Sequence, residues 1–394
     1  MKIAMLGSGF IARFYATSLH AQRRKDFIYT VYSRNIDNAK RFAEDHHVQH
    51  FTDDIEEAIN HPEVEVVLIS LPNHLHETAV AACCKARKHV LCTKPLGRTA
   101  EEAKRMLQAV EKAGIFGGYL EDLCYTPKFL KSVASIREGS IGKVLWTKSR
   151  EAHPGPHSDW FWDKEKSGGG AIIDLACHCV EISRNFIGKE IRPVEVMCWA
   201  ATQVHPIEAE DHAIGLVKYA NGAIGQFEVS WTFRGGMDLR DEVMGTEGTI
   251  WLNNFLRTGF EMFSTGKGGY VAEKAEVNCG WLFPVGDEAH ELGYPNMFTD
   301  MFESLENGRQ PLETFYDGYI VNAILDAAFL SANTKQWEPV VIDDWRGKET
   351  DVQKENLVSY NDEYYLIKEE VLPNGDTKRI LKNKTSGALL QQIL

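Results

Sequence analysis

No stretch of this 394-residue chain approaches the ~20 consecutive apolar residues that a membrane helix needs, and its first residues lack the layout of a secretory signal. The expected setting is the cytoplasm. No Cys-x-x-Cys pair occurs among the eight cysteines, at 83, 84, 92, 124, 177, 179, 198 and 279, so structural zinc and thioredoxin-type exchange lack support. Their scatter is that of free thiols in a reducing compartment. Basic residues are in the minority, 43 Lys and Arg against 56 Asp and Glu, for a net charge of −13. A surface of that sign repels phosphate backbones and anionic lipid, which removes nucleic acid and membranes from the expected partners. What remains is an ordinary globular composition, 44% hydrophobic and 25% charged, with length for two or three domains.

The chain opens on the apolar run Lys2 to Leu6, then Gly7-Ser8-Gly9-Phe10-Ile11-Ala12, then a helical pattern through Ala16 and Leu19. In such a turn the first glycine permits a tight bend and the second lets the backbone approach a pyrophosphate. The small Ala12 lets helix and strand pack closely, and the helix N-terminus offers free N–H groups to the anion. Gly7, Gly9, Phe10 and Ile11 are thus candidate cofactor residues. Strands are predicted at 29–32, 64–70, 89–92 and 115–119, and helices at 38–45, 76–86 and 100–113. This alternation predicts a doubly wound parallel sheet with its ligand crevice at the carboxyl ends of the strands, suited to a nicotinamide or flavin dinucleotide. After the second strand stand Ser33, Arg34 and Asn35, where an acid would bind the ribose 2′-hydroxyl of NAD. The cofactor is left as NAD or NADP, and the missing acid with Arg34 leans toward NADP.

Two further signatures follow buried strands, Leu71-Pro72-Asn73-His74-Leu75-His76 and Cys92-Thr93-Lys94-Pro95. Leu71, Pro72, Asn73, His76, Thr93 and Lys94 lie where crevice residues belong and are assigned to the cofactor. Farther on, Ser167-Gly168-Gly169-Gly170-Ala171 opens a helix with Asp174 and His178 four residues apart, so both face one surface. Cys177 and Cys179 flank the histidine, but adjacent helical positions point in different directions, and no metal is expected. Oxidation of a secondary alcohol needs a base for the hydroxyl proton and a cation for the developing alkoxide. His178 is the candidate base and Lys94 the cation. Asp174 is expected to orient substrate hydroxyls and the histidine.

Together these motifs, with Glu210-Asp211-His212, the segment 221–231 and Val243-Met244-Gly245-Thr246-Glu247-Gly248, resemble the glucose-fructose oxidoreductase / inositol dehydrogenase / MocA family. The resemblance spans roughly residues 1–343. It implies an α/β chain: an N-terminal Rossmann dinucleotide-binding domain and a C-terminal α+β domain with a large open, mainly antiparallel sheet. It implies that Lys94, Asp174 and His178 carry the catalytic roles, and that subunits pair through the open sheet face as a homodimer or homotetramer. Thr93 departs from the glutamate that usually precedes the family's Lys-Pro.

The segment Glu151-Ala152-His153-Pro154-Gly155-Pro156-His157-Ser158-Asp159-Trp160-Phe161-Trp162-Asp163 crowds aromatic rings, imidazoles and acids into one loop. Flat apolar faces beside fixed polar groups suit a carbohydrate. Trp162 is expected to reach the cofactor, and His153, His157 and Trp160 the substrate; a plug between domains is the competing reading. Glu121 is a candidate for the nicotinamide ribose and Tyr125 for the substrate, with helix-cap and core roles equally open for Asp122 and Tyr125. Arg234, Arg240 and Asp241 are weaker candidates.

Short alternating strands are predicted over 194–263 and helices at 298–305 and 319–334. After a charged linker at 345–355, runs 364–372 and 377–382 flank Pro373-Asn374-Gly375-Asp376, which predicts a β-hairpin, with a disordered tail as the alternative. The expected division is residues 1–120 for the dinucleotide, 121–343 for substrate and oligomerisation, and 344–394 as an extension. The expected activity is hydride transfer between NAD(P) and a secondary hydroxyl of a sugar, glycoside or cyclitol, with pyranoside C3 oxidation as the narrowest version. An enzyme that holds and recycles its dinucleotide, or a non-catalytic dinucleotide-binding regulator, are the rivals.

Overall fold

The computed structural model describes residues 1–23, 25–255, 260–266, 279–348 and 359–394. The chain divides into two compact units, residues 1–349 and 350–394. Among the described residues no helix is long and apolar enough to cross a membrane.

The first unit begins with six parallel strands: β1 (Lys2–Leu6), β2 (Phe27–Tyr32), β3 (His50–Thr52), β4 (Val66–Ile69), β5 (His89–Thr93) and β6 (Gly117–Leu120). Their order is β3-β2-β1-β4-β5-β6, so the winding reverses between β1 and β4 and opens a crevice at their carboxyl ends. Every residue of β4 is buried, as a run of Val-Val-Leu-Ile covered on both faces requires. The second helix runs Ile36–His46, two residues earlier than the apolar period indicates, because Asn35 caps it. The Asn35 Oδ1 accepts from the backbone N–H of Asp37 at 2.9 Å and of Asn38 at 3.2 Å. Strand β3 and the helix Ile55–Asn60 were not anticipated; three and six residues are too few to develop a period.

A second sheet has seven strands in the order β12-β11-β7-β10-β9-β8-β15. These are β7 (Val144–Ala152), β8 (Pro193–Ala201), β9 (His212–Tyr219), β10 (Ile224–Ser230), β11 (Asp238–Gly245), β12 (Thr249–Asn253) and the short β15 (Glu338–Pro339). Between them in sequence, β13 (Met262–Thr265) and β14 (Cys279–Leu282) pair separately. The large sheet is mixed: β7 and β10 are parallel and its other pairings antiparallel. Its inner face packs on helix Cys177–Ile187, all of whose residues are buried, and on helix Phe315–Thr334. Helix Phe315–Thr334 starts four residues before the expected point because Thr314 and Asp317 form a capping box. Helix Tyr294–Asn307 likewise starts early, with Pro295 in its first turn. The outer face carries exposed Trp199, Ile214, Met244 and Trp251.

The second unit is a three-stranded antiparallel sheet: the expected β-hairpin is there with a third strand added to it, and the alternative of a disordered tail is corrected for residues 359–394. Strands β16 (Tyr364–Val371) and β17 (Thr377–Asn383) turn at Gly375, whose φ is 91°, and β18 (Leu389–Ile393) adds to β17. The Leu-Leu-Gln-Gln-Ile run lacks the alternation that announces a strand, yet it covers β17 and helps bury Leu381 fully. Residues 349–355 of the expected linker lie outside the described residues.

Candidate active site

The carboxyl ends of β1, β2, β4 and β5 open onto a cavity of about 720 Å³. At one end its wall is largely backbone. Gly7 has φ 114°, and a Cβ there would stand 2.5 Å from the Ser70 carbonyl oxygen, so glycine is required for β1 to turn beside β4. Gly9 is the N-cap of helix Phe10–Gln22, offers no side-chain cap, and has nothing within 4 Å of a Cβ position. Open space beside uncapped helix N–H groups is a cradle for a dinucleotide pyrophosphate, so the residues fit that group. Ser8 Oγ donates to Ser33 Oγ at 3.0 Å, and Ser33, Arg34 and Asn38 continue the wall past β2. Leu71, Pro72, Asn73 and Thr93 line it from β4 and β5. The Asn73 amide donates to Ser167 O at 2.8 Å, and Thr93 Oγ1 lies 2.9 Å from the Tyr15 hydroxyl.

At the other end the wall is made of buried charge. Lys94, just past β5 and joined to Pro95 by a cis peptide bond, donates from Nζ to Asp174 Oδ1 at 3.0 Å and Asp174 O at 2.7 Å. Asp174 Oδ2 accepts from Trp231 Nε1 at 3.0 Å. Burial opposes the Lys94 charge, but Asp174, Cys177 and Glu151 together outweigh it and hold the ammonium well above its ordinary pKa. Asp174 lies in the π-helical turn Ile172–Ala176 that leads into Cys177–Ile187. The start of that turn is held by Glu210, whose Oε1 accepts from Gly170 N at 3.0 Å and Ile172 N at 2.8 Å. One turn on, His178 shares the cavity wall, and its Nδ1 is hydrogen-bonded to Glu121 Oε1. Burial, then the Lys94 charge, lowers the His178 pKa to about 3; burial raises that of Glu121 to about 8. The imidazole is therefore neutral near pH 7, as a proton acceptor must be.

The fold agrees with what known proteins show. Residues 1–117 match the model described as "Oxidoreductase family, NAD-binding Rossmann fold", and residues 129–251 match "GFO/IDH/MocA C-terminal domain". The chain belongs to the Gfo/Idh/MocA oxidoreductase family. It is 28% identical to the levoglucosan dehydrogenase of Pseudarthrobacter phenanthrenivorans over 77% of this chain and 85% of that protein. It is 28% identical to the myo-inositol 2-dehydrogenase of Thermotoga maritima over 66% of this chain and 77% of that one. Among solved structures, GenD2 from gentamicin A biosynthesis, in complex with NAD, superposes with a TM-score of 0.82 at 28% identity, covering 87% of this chain and 97% of GenD2. Levoglucosan dehydrogenase with NADH and levoglucosan gives 0.74 at 25% identity, covering 86% and 99%. The family thus includes NAD-dependent sugar and cyclitol dehydrogenases, and this member carries the NAD-binding Rossmann domain.

In this Gfo/Idh/MocA oxidoreductase the cavity wall gathers Gly7, Gly9, Phe10, Ile11, Ser33, Arg34, Leu71, Pro72, Asn73, Thr93, Lys94, His153, His157, Trp160, Asp174 and His178. Four expected site residues are not in the wall. His76 is fully buried, its ring nitrogens within 3.1 Å of the Leu71, Pro95 and Leu96 carbonyls, where it ties two wall loops together. Glu121, directly after β6, is fully buried and stands behind His178. Tyr125 is a core residue whose hydroxyl donates to Asp300 Oδ2 at 2.9 Å and accepts from Glu313 N. Trp162 turns away to pack on Trp231 and His205, with ring centroids 5.3 and 5.0 Å apart. Asp174 is bonded to Lys94, and the hydrogen-bond partner of His178 is Glu121.

Asp241 accepts from Ser149 Oγ at 2.6 Å and Arg240 pairs with Asp238, and neither they nor Arg234 line the cavity. The wall also includes residues not anticipated as site residues: Asp122, Glu151, Met237, Leu292 and Tyr294. Glu151 had a visible signal, an acid at the end of a strand. Tyr294 had none, since only tertiary packing brings its helix to the glycine turn, where it meets Phe14 with ring centroids 5.6 Å apart.

Proposed function

We propose that this Gfo/Idh/MocA protein catalyses hydride transfer between a nicotinamide dinucleotide and a secondary ring hydroxyl of a sugar, glycoside or cyclitol. The observation that carries this reading is the convergence of Lys94, paired with Asp174, and His178, backed by the buried Glu121, on one wall of the cavity that the glycine turn opens. The dinucleotide supplies the hydride acceptor. Residues 1–120 are assigned to holding it, with Gly7, Gly9, Phe10 and Ile11 at the pyrophosphate end, and residues 121–343 to the substrate. Lys94, fixed by Asp174, holds the hydroxyl oxygen and stabilises negative charge developing there. Above about pH 8, where Glu121 is ionised, His178 Nδ1–H donates to it and Nε2 takes the hydroxyl proton. In reduction the same dyad returns the proton. His153, His157 and Trp160, stacked on Phe161 with centroids 3.8 Å apart, supply the polar groups and flat face that a sugar ring uses.

Within this class we favour oxidation of a pyranoside hydroxyl at C3, including O- and C-glycosides, since the aromatic wall suits a polyol with an apolar face. Ser33 and Arg34, without an acid beside them at the end of β2, lean the preference toward NADP. The exposed outer face with Trp199, Ile214, Met244 and Trp251 supports a homodimer or homotetramer joined there. Incubating the protein with NAD or NADP and a panel of inositols, free hexoses and glycosides tests the reading. Reduced cofactor is expected with at least one pyranoside, and silence on every pyranoside would remove the glycoside version.

One contact favours a second reading, that the dinucleotide stays bound between turnovers. His157 packs on Phe10 of the glycine turn with ring centroids 4.6 Å apart, laying the 153–162 loop over the crevice. Dinucleotide retained through purification is the expected sign of that mode.

A further inference from the structure

Glu151 is the one acid at the reacting end of the wall with a buried, idle oxygen: the residue is 3% exposed and its Oε2 has no hydrogen-bond partner among the described residues. Its position is rigid, since β7 is flanked by β10 and β11, with Val229 and Leu239 as its cross-strand partners. Asp174, by contrast, is committed to Lys94 and Trp231. Burial keeps the Glu151 carboxyl well above the usual carboxylate range, though the nearby Lys94 pulls it down. A protonated carboxyl donates through O–H and accepts through C=O, the complement of an alcohol, and a buried polar group without a partner awaits one.

We infer that Glu151 binds the substrate hydroxyl adjacent to the one held by Lys94, so that the enzyme selects vicinal diols. This rests on the dehydrogenase reading above and adds a specificity residue to it. A site built to hydrogen-bond a hydroxyl rejects the analogue lacking it far more strongly than an apolar pocket rejects a missing methylene. A neighbouring hydroxyl held on the strand also fixes the ring's rotation about the carbon being oxidised.

The test uses methyl β-D-glucopyranoside and its 2-deoxy and 4-deoxy analogues with the full-length wild type, Glu151→Leu and Glu151→Gln. In the wild type one deoxy analogue is expected to lose about tenfold or more in kcat/KM. Glu151→Leu should lose a similar factor on the parent glycoside and nothing further on that analogue, while Glu151→Gln, which still donates and accepts, should stay within about threefold of wild type. Losses that multiply, or deoxy analogues turned over as well as the parent, would overturn the assignment of Glu151 while leaving the dehydrogenase reading intact. Wild-type silence on every polyol would sink both. Should Glu151→Leu fail to fold, wild-type crystals soaked with the methyl glycoside decide: a sugar hydroxyl within hydrogen-bond reach of Glu151 is expected, and a sugar bound without touching it contradicts the inference.

Discussion

The two ends of the cavity are built by different means. The glycine-turn end is local and made of backbone: Gly7, Ser8, Gly9, Phe10 and Ile11 are consecutive, and their geometry follows from one turn between β1 and a helix. The reacting end is assembled from the ends of β5, β6, β7 and β10 and from a π-helical turn. There Lys94 meets Asp174 from 80 residues away and Glu121 meets His178 from 57. A backbone cradle tolerates variation in side chains around it. A buried charge cluster does not, because removing either partner leaves the other uncompensated in a low dielectric.

Changes at the reacting end should therefore cost the most. Replacing both Lys94 and His178 with alanine is expected to lower kcat by about a thousandfold or more, measured under saturating cofactor, with dinucleotide binding retained. Glu121→Gln should act through the pH profile. In the wild type Glu121, raised to about 8, is protonated below that pH and ionised above it, so kcat/KM for oxidation should rise as pH passes through about 8. Glu121→Gln should remove that limb, with a loss of roughly tenfold on the alkaline side.

At the backbone end the two glycines separate folding from binding. Gly7→Ala, at φ 114° and against the Ser70 carbonyl, should destabilise the fold by about 1–3 kcal/mol in a denaturant titration. Gly9→Ala, with open space around it, should leave stability nearly unchanged and weaken dinucleotide affinity. The smallest effect is expected at Arg34→Ala, a few-fold rise in KM for NADP with NAD unaffected, checked by cofactor titration.

The same contrast explains what the sequence made legible. The glycine turn, the buried Val-Val-Leu-Ile strand and the Asp174/His178 helical spacing are local patterns, and each stands where its period or turn chemistry puts it. Misreadings gather where tertiary structure chooses among partners. Asp174 and His178 share a wall, yet Trp231 and Lys94 claim the aspartate, and the turn after β6 delivers Glu121 to the histidine. Trp162 shares a loop with Trp160, but only packing against Trp231 decides that one ring faces the cavity and the other does not. Strand β18 and the helix Ile55–Asn60 are too short to carry a period of their own.

On the proposed reaction, the reacting hydroxyl sits between Lys94 and His178. The direct measurement is a crystal structure of the protein with NAD(H) and a polyol that it oxidises. We expect a ring hydroxyl within hydrogen-bond reach of both Lys94 Nζ and His178 Nε2, with its carbon facing the nicotinamide. A polyol bound with its reactive carbon at the nicotinamide but touching neither side chain would contradict it.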